Sequence, residues 1–276
     1  MTGLIDVGGG MRDIYGCGVT DCFLDNNIKF DLCIGVSAGS ANMATFLAGQ
    51  RERNYRFYAE YASRKEYMSL GNFLRTGSYF DLDYIYSTLS DEGGEDPIDY
   101  DAMKANPCDL ITVVTNAKTG KPDYFGKEQI LRNDLWVIKA SCAVPAACKP
   151  YMHDGNEYFD GGISDPIPVE KAFEMGCNKV VLIVPRPIEE KKGEYSRIMK
   201  PFLKNYPEAL RLMADRPKIY NREIQIMRKY IDEGKVILVA PEKDEGVNMI
   251  TTDKAKLTAF YHKGYNDAQK VLDKII

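Results

Sequence analysis

The sequence predicts an α/β fold, a three-layer α/β/α sandwich with a mostly parallel central sheet. Short apolar runs of strand length alternate with helix-compatible segments along most of the chain, a pattern typical of parallel sheets covered by helices. Glycine-rich turns follow the first two runs, at residues 8–10 and 35–39. The chain has 276 residues, of which 45% are apolar and 28% are charged, enough for one sizeable core. We therefore predict a single domain spanning residues 1–276.

Two strand–turn–helix units are predicted at the start of the chain. Residues 3–7 form an apolar run that leads into three glycines, and a helix from about 13 to 26 follows. The apolar run 30–34 has the length of a buried strand. The small residues 38–48 suit a helix that Gly49 closes.

The later elements continue the alternation of strands and helices. The motifs discussed below fall within residues 5–185, and a C-terminal part of the same domain covers residues 189–276. Residues 51–89 are predicted to be mostly helical, with breaks at Gly71 and Gly77. The further predicted elements are an acidic surface loop at 91–97, a hairpin of 110–115 and 122–125, a helix or strand at 135–141, a helix at 168–175, a strand at 180–184, a helical excursion at 189–216, an amphipathic helix at 219–231, a strand at 236–239 and a closing helix at 252–275.

Composition excludes several classes of function. The net charge is −4 and the pI is about 5.4, so we expect no general attraction to nucleic acid. The seven cysteines include no C-x-x-C pair, which favours a reducing, cytoplasmic location without structural disulfides. No apolar run is long enough to span a bilayer and no signal segment stands at the start. We therefore expect a soluble protein whose membrane contact is at most peripheral.

Ser37 is the first candidate catalytic residue. It stands at the centre of a G-x-S-x-G pattern formed with Gly35 and Gly39. A serine at a strand-to-helix turn exposes its hydroxyl, and the N–H groups of the new helix point at the site. The two glycines allow neighbouring backbone to come close. The alternative is a Gly/Ser-rich loop without catalytic function, because five-residue motifs also occur by chance.

Gly8, Gly9 and Gly10 are candidates for an oxyanion hole. Successive glycines after a strand present free N–H groups with no side chains in the way, which suits an oxyanion hole or a phosphate cradle. A dinucleotide-binding G-x-G-x-x-G loop is the competing interpretation. It is weak because Asp13 occupies the last position, where a carboxylate would face a pyrophosphate.

Asp160 is the best candidate for the general base. The chain has only two histidines, His153 and His262, which limits a Ser-His-Asp triad to one of them. Asp160 follows a short apolar strand and precedes Gly161 and Gly162, so its carboxylate can project from a strand end and accept the serine proton. The alternative is an ordinary Asp-Gly turn.

Together these motifs resemble the patatin-like phospholipases. The resemblance rests on Gly8-Gly9-Gly10-Met11-Arg12, Gly35-Val36-Ser37-Ala38-Gly39 and Asp160-Gly161-Gly162, which occur in the family's order and approximate spacing. The segments 139–145 and 164–169 are also similar to that family. The chain is most similar to the small bacterial members, and the resemblance covers about the first two thirds of it.

The resemblance implies a Ser-Asp dyad on a three-layer α/β/α fold. Carried over, Ser37 is the nucleophile and Asp160 the base, and the glycine loop supplies the oxyanion donors. Arg12 matches the family's basic residue after the glycines, and it would support the loop or bind a lipid phosphate. No metal or cofactor is required, and the partner is a lipid or acyl-ester substrate.

We therefore predict a serine acyl hydrolase, either a lipid acyl hydrolase of phospholipase A type or a carboxylesterase. The alternative is a non-catalytic lipid- or acyl-binding protein on the same fold. It rests on Asp13, which stands where the family usually has glycine. A carboxylate there is expected to oppose the oxyanion or to pair with Arg12. Tyrosines and arginines within 51–75 are compatible with a cap that touches lipid headgroups, but ordinary helices with solvated charges are the favoured explanation.

Overall fold

The structure is a computed structural model that describes residues 1–189, 197–243 and 245–275. Its strands are β1 (Thr2–Asp6), β2 (Leu32–Val36), β3 (Asp109–Asn116), β4 (Pro122–Gly126), β5 (Tyr151–His153), β6 (Asn156–Asp160), β7 (Lys179–Ile183) and β8 (Val236–Val239). Its α-helices are α1 (Ile14–Asp25), α2 (Ala38–Leu47), α3 (Arg53–Ala59), α4 (Leu70–Thr76), α5 (Tyr100–Ala105), α6 (Trp136–Ser141), α7 (Val169–Glu174), α8 (Pro207–Asp232), α9 (Lys254–Gln269) and α10 (Leu272–Ile275).

All of these strands belong to one sheet, which is parallel at its centre. The strand order is β5-β6-β3-β2-β1-β7-β8, and β4 pairs with β3 beside this path. Along the part of the sheet ordered β3-β2-β1-β7-β8, neighbouring strands run parallel. The strands β4, β5 and β6 pair antiparallel with their neighbours. Ile5 of β1 lies opposite Ile34 of β2 and Leu182 of β7. The carboxyl ends of β1 and β2 therefore meet at one edge of the sheet.

Helices cover both faces of the sheet, because successive strand residues point to opposite sides. Leu4 and Val181 belong to the core beneath α1, α2 and α9. Ile5 and Leu182 belong to the core beneath α7 and α8. The predicted three-layer α/β/α fold with a mostly parallel sheet is confirmed.

The crossing of α1 and α9 ties the C-terminal part to the start of the chain. A Cβ built at Gly18 would lie 2.0 Å from the Tyr261 carbonyl oxygen, and one at Gly264 would lie 2.1 Å from the Tyr15 carbonyl oxygen. Only glycine permits so close an approach of two helix backbones. The rings of Tyr15 and Phe260 pack beside this crossing, with centroids 5.2 Å apart.

Most predicted elements are present, with shifted boundaries. The second strand begins at Leu32 instead of residue 30, since the backbone enters the sheet only where β1 can pair with it. The predicted break at Gly71 is wrong, because this residue lies inside α4, and the helix ends at Gly77 with a φ of 81°. The segment 135–141, left open between helix and strand, is the helix α6.

The structure changes or refines three predictions in the polar segments. The amphipathic helix expected over 219–231 is α8, which starts at Pro207 and continues through Pro217. The excursion predicted over 189–216 contains residues 190–196, which lie outside the described residues, and a 3-10 helix at Arg197–Leu203. The acidic loop 91–97 is not wholly on the surface, because Asp96 is buried against Arg53 and Arg56.

Candidate active site

Ser37 stands at a strained turn between β2 and α2. Its φ is 56° and its ψ is −132°, a backbone conformation that side chains other than glycine rarely adopt. The Ser37 amide donates to the Ser141 hydroxyl at 2.8 Å, and that hydroxyl donates to the Val113 carbonyl oxygen at 2.7 Å. These two hydrogen bonds connect the turn to β3. A strained serine held in this way fits the nucleophile position of a G-x-S-x-G turn.

The motif glycines around Ser37 are required for close packing. A Cβ built at Gly35 would lie 2.3 Å from Ser40 Cα, and one at Gly39 would lie 2.3 Å from the Asp6 carbonyl oxygen. Any larger residue would push α2 away from the ends of β1 and β2. The two glycines therefore set the distance between the turn and the sheet, as the sequence analysis expected.

The glycine loop after β1 lies directly against the Ser37 turn. A Cβ at Gly8 would lie 2.2 Å from the Val36 carbonyl oxygen and 3.0 Å from Ser37 Cβ. The Gly8 amide donates to Asp6 Oδ1 at 3.1 Å, so this N–H is already used. Among the described residues, the Gly9 and Gly10 amides have no hydrogen-bond acceptor. Of the three glycines, Gly8 thus shapes the loop, and the other two have N–H groups available for an oxyanion.

Asp160 reaches the same place from the end of β6. Its Oδ1 accepts the Gly162 amide at 2.7 Å, and its own amide donates to the Ala143 carbonyl oxygen at 2.9 Å. A Cβ at Gly161 would lie 2.3 Å from the Val113 carbonyl oxygen, so the turn after Asp160 packs tightly on β3. The Asp160 side chain is 6% exposed. Ser37, Asp160 and the three glycines line one cavity of about 520 Å³.

A second cavity opens from Ser37 on the other side. It has a volume of about 460 Å³, and its lining is mainly apolar and aromatic. Ser37, Gly10, Val144 and Met249 border both cavities. The other residues around the second cavity are Met11, Ala38, Tyr58, Tyr67, Phe80, Leu82, Ile85, Tyr86 and Cys142. Ser37 therefore stands between the first cavity, which also contains the charged side chains of Asp160, Arg186 and Arg216 and is called the polar cavity below, and the second, apolar cavity.

Asp13 lies behind the glycine loop, and it borders neither of the two cavities. Asp6 and Asp13 are both fully buried, and Asn42 Nδ2 donates to Asp6 Oδ2 and to Asp13 Oδ2 at 3.0 Å each. Burial, together with the charge of Asp6, raises the pKa of Asp13 well above its usual value. Asp13 Oδ1 has no hydrogen-bond partner among the described residues. The raised pKa favours a protonated Asp13 beside Asp6, and a pair with one proton carries one negative charge instead of two. That charge belongs to side chains that border neither cavity at Ser37.

The C-terminal part of the chain holds the glycine loop from outside. The Met11 amide donates to the Met249 carbonyl oxygen at 3.2 Å. Arg12 Nε donates to the Val247 carbonyl oxygen at 2.9 Å. A Cβ at Gly10 would lie 2.8 Å from the Met249 carbonyl oxygen. These contacts favour loop support as the role of Arg12.

The rival catalytic candidates have other contacts. His153 stacks on Trp136 with ring centroids 3.6 Å apart, and His262 is exposed on α9. Neither histidine borders the two cavities at Ser37. Ser164 shares a hydrogen bond of 2.7 Å with Thr115. The sequence analysis missed the part of Ser141 in holding the Ser37 amide, because the two residues are 104 positions apart.

The segment 51–75 contributes to the apolar cavity rather than to a charged cap. Its arginines pair with acidic side chains: Arg56 with Asp96 at 2.6 Å and Arg64 with Glu95 at 2.6 Å. Its tyrosines at 58 and 67 border the apolar cavity. The arginine side chains thus connect this segment to the acidic loop.

The described residues contain no group of three or more His, Cys, Asp or Glu side chains that could hold a metal ion. Within the same residues, none of the helices has the length and apolar character needed to cross a membrane. All seven cysteines are free and buried.

Comparison with known proteins identifies the class to which this site belongs. The family model of the patatin-like phospholipases matches residues 7–173, more than half of the chain, including Ser37, Asp160 and the glycine loop. The chain therefore belongs to the patatin-like phospholipase family, and this membership supports lipid acyl hydrolase activity in general.

Individual relatives extend the comparison. The uncharacterized protein YjjU of Escherichia coli (strain K12) is 30% identical over 195 residues, which cover 65% of this chain and 50% of that protein. The chain thus spans about half the length of this curated relative. The crystal structure of VipD from Legionella pneumophila matches with a TM-score of 0.49 and 13% identity, over 99% of this chain and 66% of that one. A domain of unknown function, DUF6363, matches residues 206–276.

Proposed function

We propose that this protein is a serine acyl hydrolase that uses Ser37 as nucleophile and Asp160 as general base. The observation that carries the proposal is the convergence of three chain segments on one cavity. The strained Ser37 turn, the buried Asp160 carboxylate and the Gly9 and Gly10 amides all border it. Nucleophile, base and oxyanion donors are the components that acyl transfer requires.

The reaction proceeds in two halves. Ser37 Oγ attacks the ester carbonyl carbon while Asp160 takes the hydroxyl proton, and the Gly9 and Gly10 amides hold the oxyanion. The tetrahedral intermediate then expels the alcohol, which receives the proton from Asp160, and leaves an acyl group on Ser37. Asp160 next takes a proton from water, which attacks the acyl-serine. The fatty acid leaves and the proton returns to Ser37.

The apolar cavity supports a lipid as the acyl donor. It begins at Ser37 and is lined by aromatic and aliphatic side chains such as Tyr58, Phe80 and Ile85. An acyl chain placed there buries apolar surface at about 25 cal/mol per Å². The ester carbonyl would then lie at Ser37, with the alcohol part in the polar cavity.

We also propose peripheral contact with a lipid surface through α4. Leu70 and Leu74 lie one helical turn apart on this helix and are 73% and 86% exposed. The backbone bridge between Met68 and Phe80 closes the hairpin that carries α4, and Phe80 borders the apolar cavity. Two exposed leucines beside an acyl-chain cavity suit an enzyme that takes its substrate from a membrane surface. A cytoplasmic location is part of the same proposal, because seven free, buried thiols suit a reducing compartment.

The reason for a non-catalytic alternative was a charged Asp13 in the oxyanion loop. Asp13 borders neither cavity at Ser37, and its raised pKa disfavours the charged form of its carboxyl. Within the described residues, these two observations weaken the case for a binding protein without activity.

Covalent labelling tests the proposal. A fluorophosphonate should modify the parent on the peptide that contains Gly35 to Gly39, and p-nitrophenyl acyl esters should be hydrolysed. Ser37→Ala should abolish labelling and lower kcat by about 10⁴–10⁶-fold. Ser164→Ala, a serine outside both cavities, should retain both. Undiminished labelling in Ser37→Ala, or no ester turnover by the parent, would reject the proposal.

A further inference from the structure

Part of the lining of the polar cavity at Ser37 comes from residues outside the segment that the patatin-like family model matches. Arg186 follows β7, Arg216 and Tyr220 lie on α8, and Met249 follows β8. The family model ends at residue 173. Three of these four residues lie within 206–276, the segment that matches a domain of unknown function.

Arg186 lies beside the glycine loop. Its side chain is 8% exposed, and its Nη2 would lie 3.9 Å from a Cβ built at Gly9. The guanidinium also lies over the ring of Tyr220, 5.7 Å from the ring centroid. Tyr220 is itself buried, so α8 fixes the position of Arg186. A guanidinium in this place borders the space next to the oxyanion donors.

Arg216 contributes a second positive charge to the same part of the lining. It is half-buried on α8, and its Nε is a buried donor without a hydrogen-bond acceptor in the described part of the chain. Leaving a buried donor unsatisfied costs roughly 1–3 kcal/mol. A ligand that accepts from this nitrogen would remove that cost on binding.

Among the described residues that line the polar cavity, the ionisable side chains are Asp160, Arg186, Arg216 and Tyr220. Two guanidinium groups and one carboxylate therefore border the same space. Guanidinium groups bind phosphate and carboxylate oxygens through paired, charge-assisted hydrogen bonds.

We infer that the C-terminal segment 206–276 completes the active site, and that Arg216 together with Arg186 selects esters whose alcohol part carries an anionic group. This inference rests on the proposed acyl hydrolase function. Because the apolar cavity takes the acyl chain, the group that reaches the arginines is the leaving alcohol. A phosphate group on that alcohol, close to the ester, has the required chemistry.

The test compares two esters with the same acyl chain, lysophosphatidic acid and the corresponding monoacylglycerol. The parent should prefer the phosphate ester in kcat/KM. Arg216→Gln should lower kcat/KM for lysophosphatidic acid by about 10–100-fold, mainly through KM, since a charge-assisted hydrogen bond is lost. The same variant should change monoacylglycerol hydrolysis by less than about threefold. Arg211→Gln, an exposed arginine on the same helix, is the matched control and should resemble the parent on both esters.

Two further measurements are controls. The first tests whether the site binds the alcohol part of a lipid or free phosphate, and the second tests whether the variants fold. Glycerol 3-phosphate should inhibit monoacylglycerol hydrolysis by the parent more strongly than inorganic phosphate does, if the site recognises the alcohol part of a lipid. Equal inhibition by the two would assign a site for free phosphate and overturn the lipid assignment. Arg216→Lys, which keeps the charge, should restore part of the preference, and thermal melting of each variant reports on folding.

The outcomes distinguish this inference from the proposed function. Hydrolysis of both esters without a preference, or an equal loss on both in Arg216→Gln, overturns the anion-selecting role and leaves the Ser37 assignment intact. Failure of the parent to hydrolyse either ester, with no labelling at Ser37, rejects the proposed function and this inference with it.

Discussion

At the scale of single residues, the acid pair behind the glycine loop explains how a family position can tolerate aspartate. Asp13 occupies the N-cap position of α1 without a side-chain capping hydrogen bond, and it lies beside Asp6, outside both cavities. Asp6 in turn accepts the Gly8 amide at 3.1 Å. With Asp13 protonated, the pair carries one negative charge, which Asp6 uses to hold the loop. Sequence reasoning expected a charge beside the oxyanion because the one-dimensional spacing gives no information on the direction of a side chain.

Asp13→Asn should stabilise the protein in a pH-dependent way. Because the pKa of Asp13 is raised on folding, the folded state keeps a proton that the unfolded chain releases above about pH 4. The free energy of unfolding therefore falls as pH rises from about 4 towards the pKa of Asp13 in the folded state. An asparagine amide can donate to Asp6 at any pH, so the Tm advantage of the variant should appear above about pH 4 and grow toward pH 8. Thermal melting across pH 4 to 8 measures it.

Asp13→Gly tests the same interaction by removing the side chain. It removes the donor to Asp6, so it should lower stability by about 1–3 kcal/mol and reduce activity on phospholipids and neutral esters alike. A selective gain on phospholipids would contradict a protonated Asp13 and restore the idea that its charge opposes the oxyanion. A Tm difference between Asp13→Asn and the parent that is constant over pH would contradict the raised pKa of Asp13.

At the scale of elements, the strands and turns that carry the site could be predicted from local sequence. The strand 236–239 is observed with the predicted bounds, and the hairpin of β3 and β4 is present. The strand 236–239 is an apolar run bounded by turn residues, so its local pattern and its tertiary pairing agree. The start of α8 could not be predicted, because Pro207 at its first turn and Pro217 inside it weaken the helical signal. Packing on the sheet overrides that signal here.

The exposed leucines of α4 should determine binding to lipid surfaces. Leu70→Asn combined with Leu74→Asn should lower the fraction bound to phosphatidylcholine vesicles by about tenfold or more, since a fully buried leucine contributes roughly 1.5–3 kcal/mol. Turnover of a soluble p-nitrophenyl acetate should stay close to that of the parent, because neither leucine borders the cavities at Ser37. Vesicle sedimentation and the soluble assay give the two readouts.

Met152→Asn is the matched control for this surface. Met152 is 59% exposed on β5 and lies outside α4, and its replacement should leave vesicle binding unchanged. Equal binding by the parent and the double leucine variant would show that α4 does not contact the lipid surface.

At the scale of the whole molecule, the candidate active site is assembled from segments that are distant in sequence. Local motifs singled out Ser37, Asp160 and the glycine loop, because each stands at a strand end with small neighbours, and the structure brings them to one cavity. The supporting contacts could not be predicted in the same way. Ser141 and Val247 reach the site only through the fold, at separations of 104 residues from Ser37 and 235 from Arg12. A site of this kind depends on the C-terminal part as much as on the motifs.

The most direct test of the Ser-Asp dyad is the kcat of Asp160→Asn beside that of Asp165→Asn. Asp165 is a matched control, because burial raises its pKa to about 6 and Tyr124 donates to it at 2.6 Å, yet it does not border the cavities at Ser37. Asp160→Asn should fold as the parent does and lower kcat on a p-nitrophenyl ester by about 10²–10⁴-fold, the usual contribution of a general base. Asp165→Asn, His153→Ala and His262→Ala should remain within roughly tenfold of the parent. A folded Asp160→Asn variant with near-parental kcat, or a histidine variant as inactive as Ser37→Ala, would contradict the dyad.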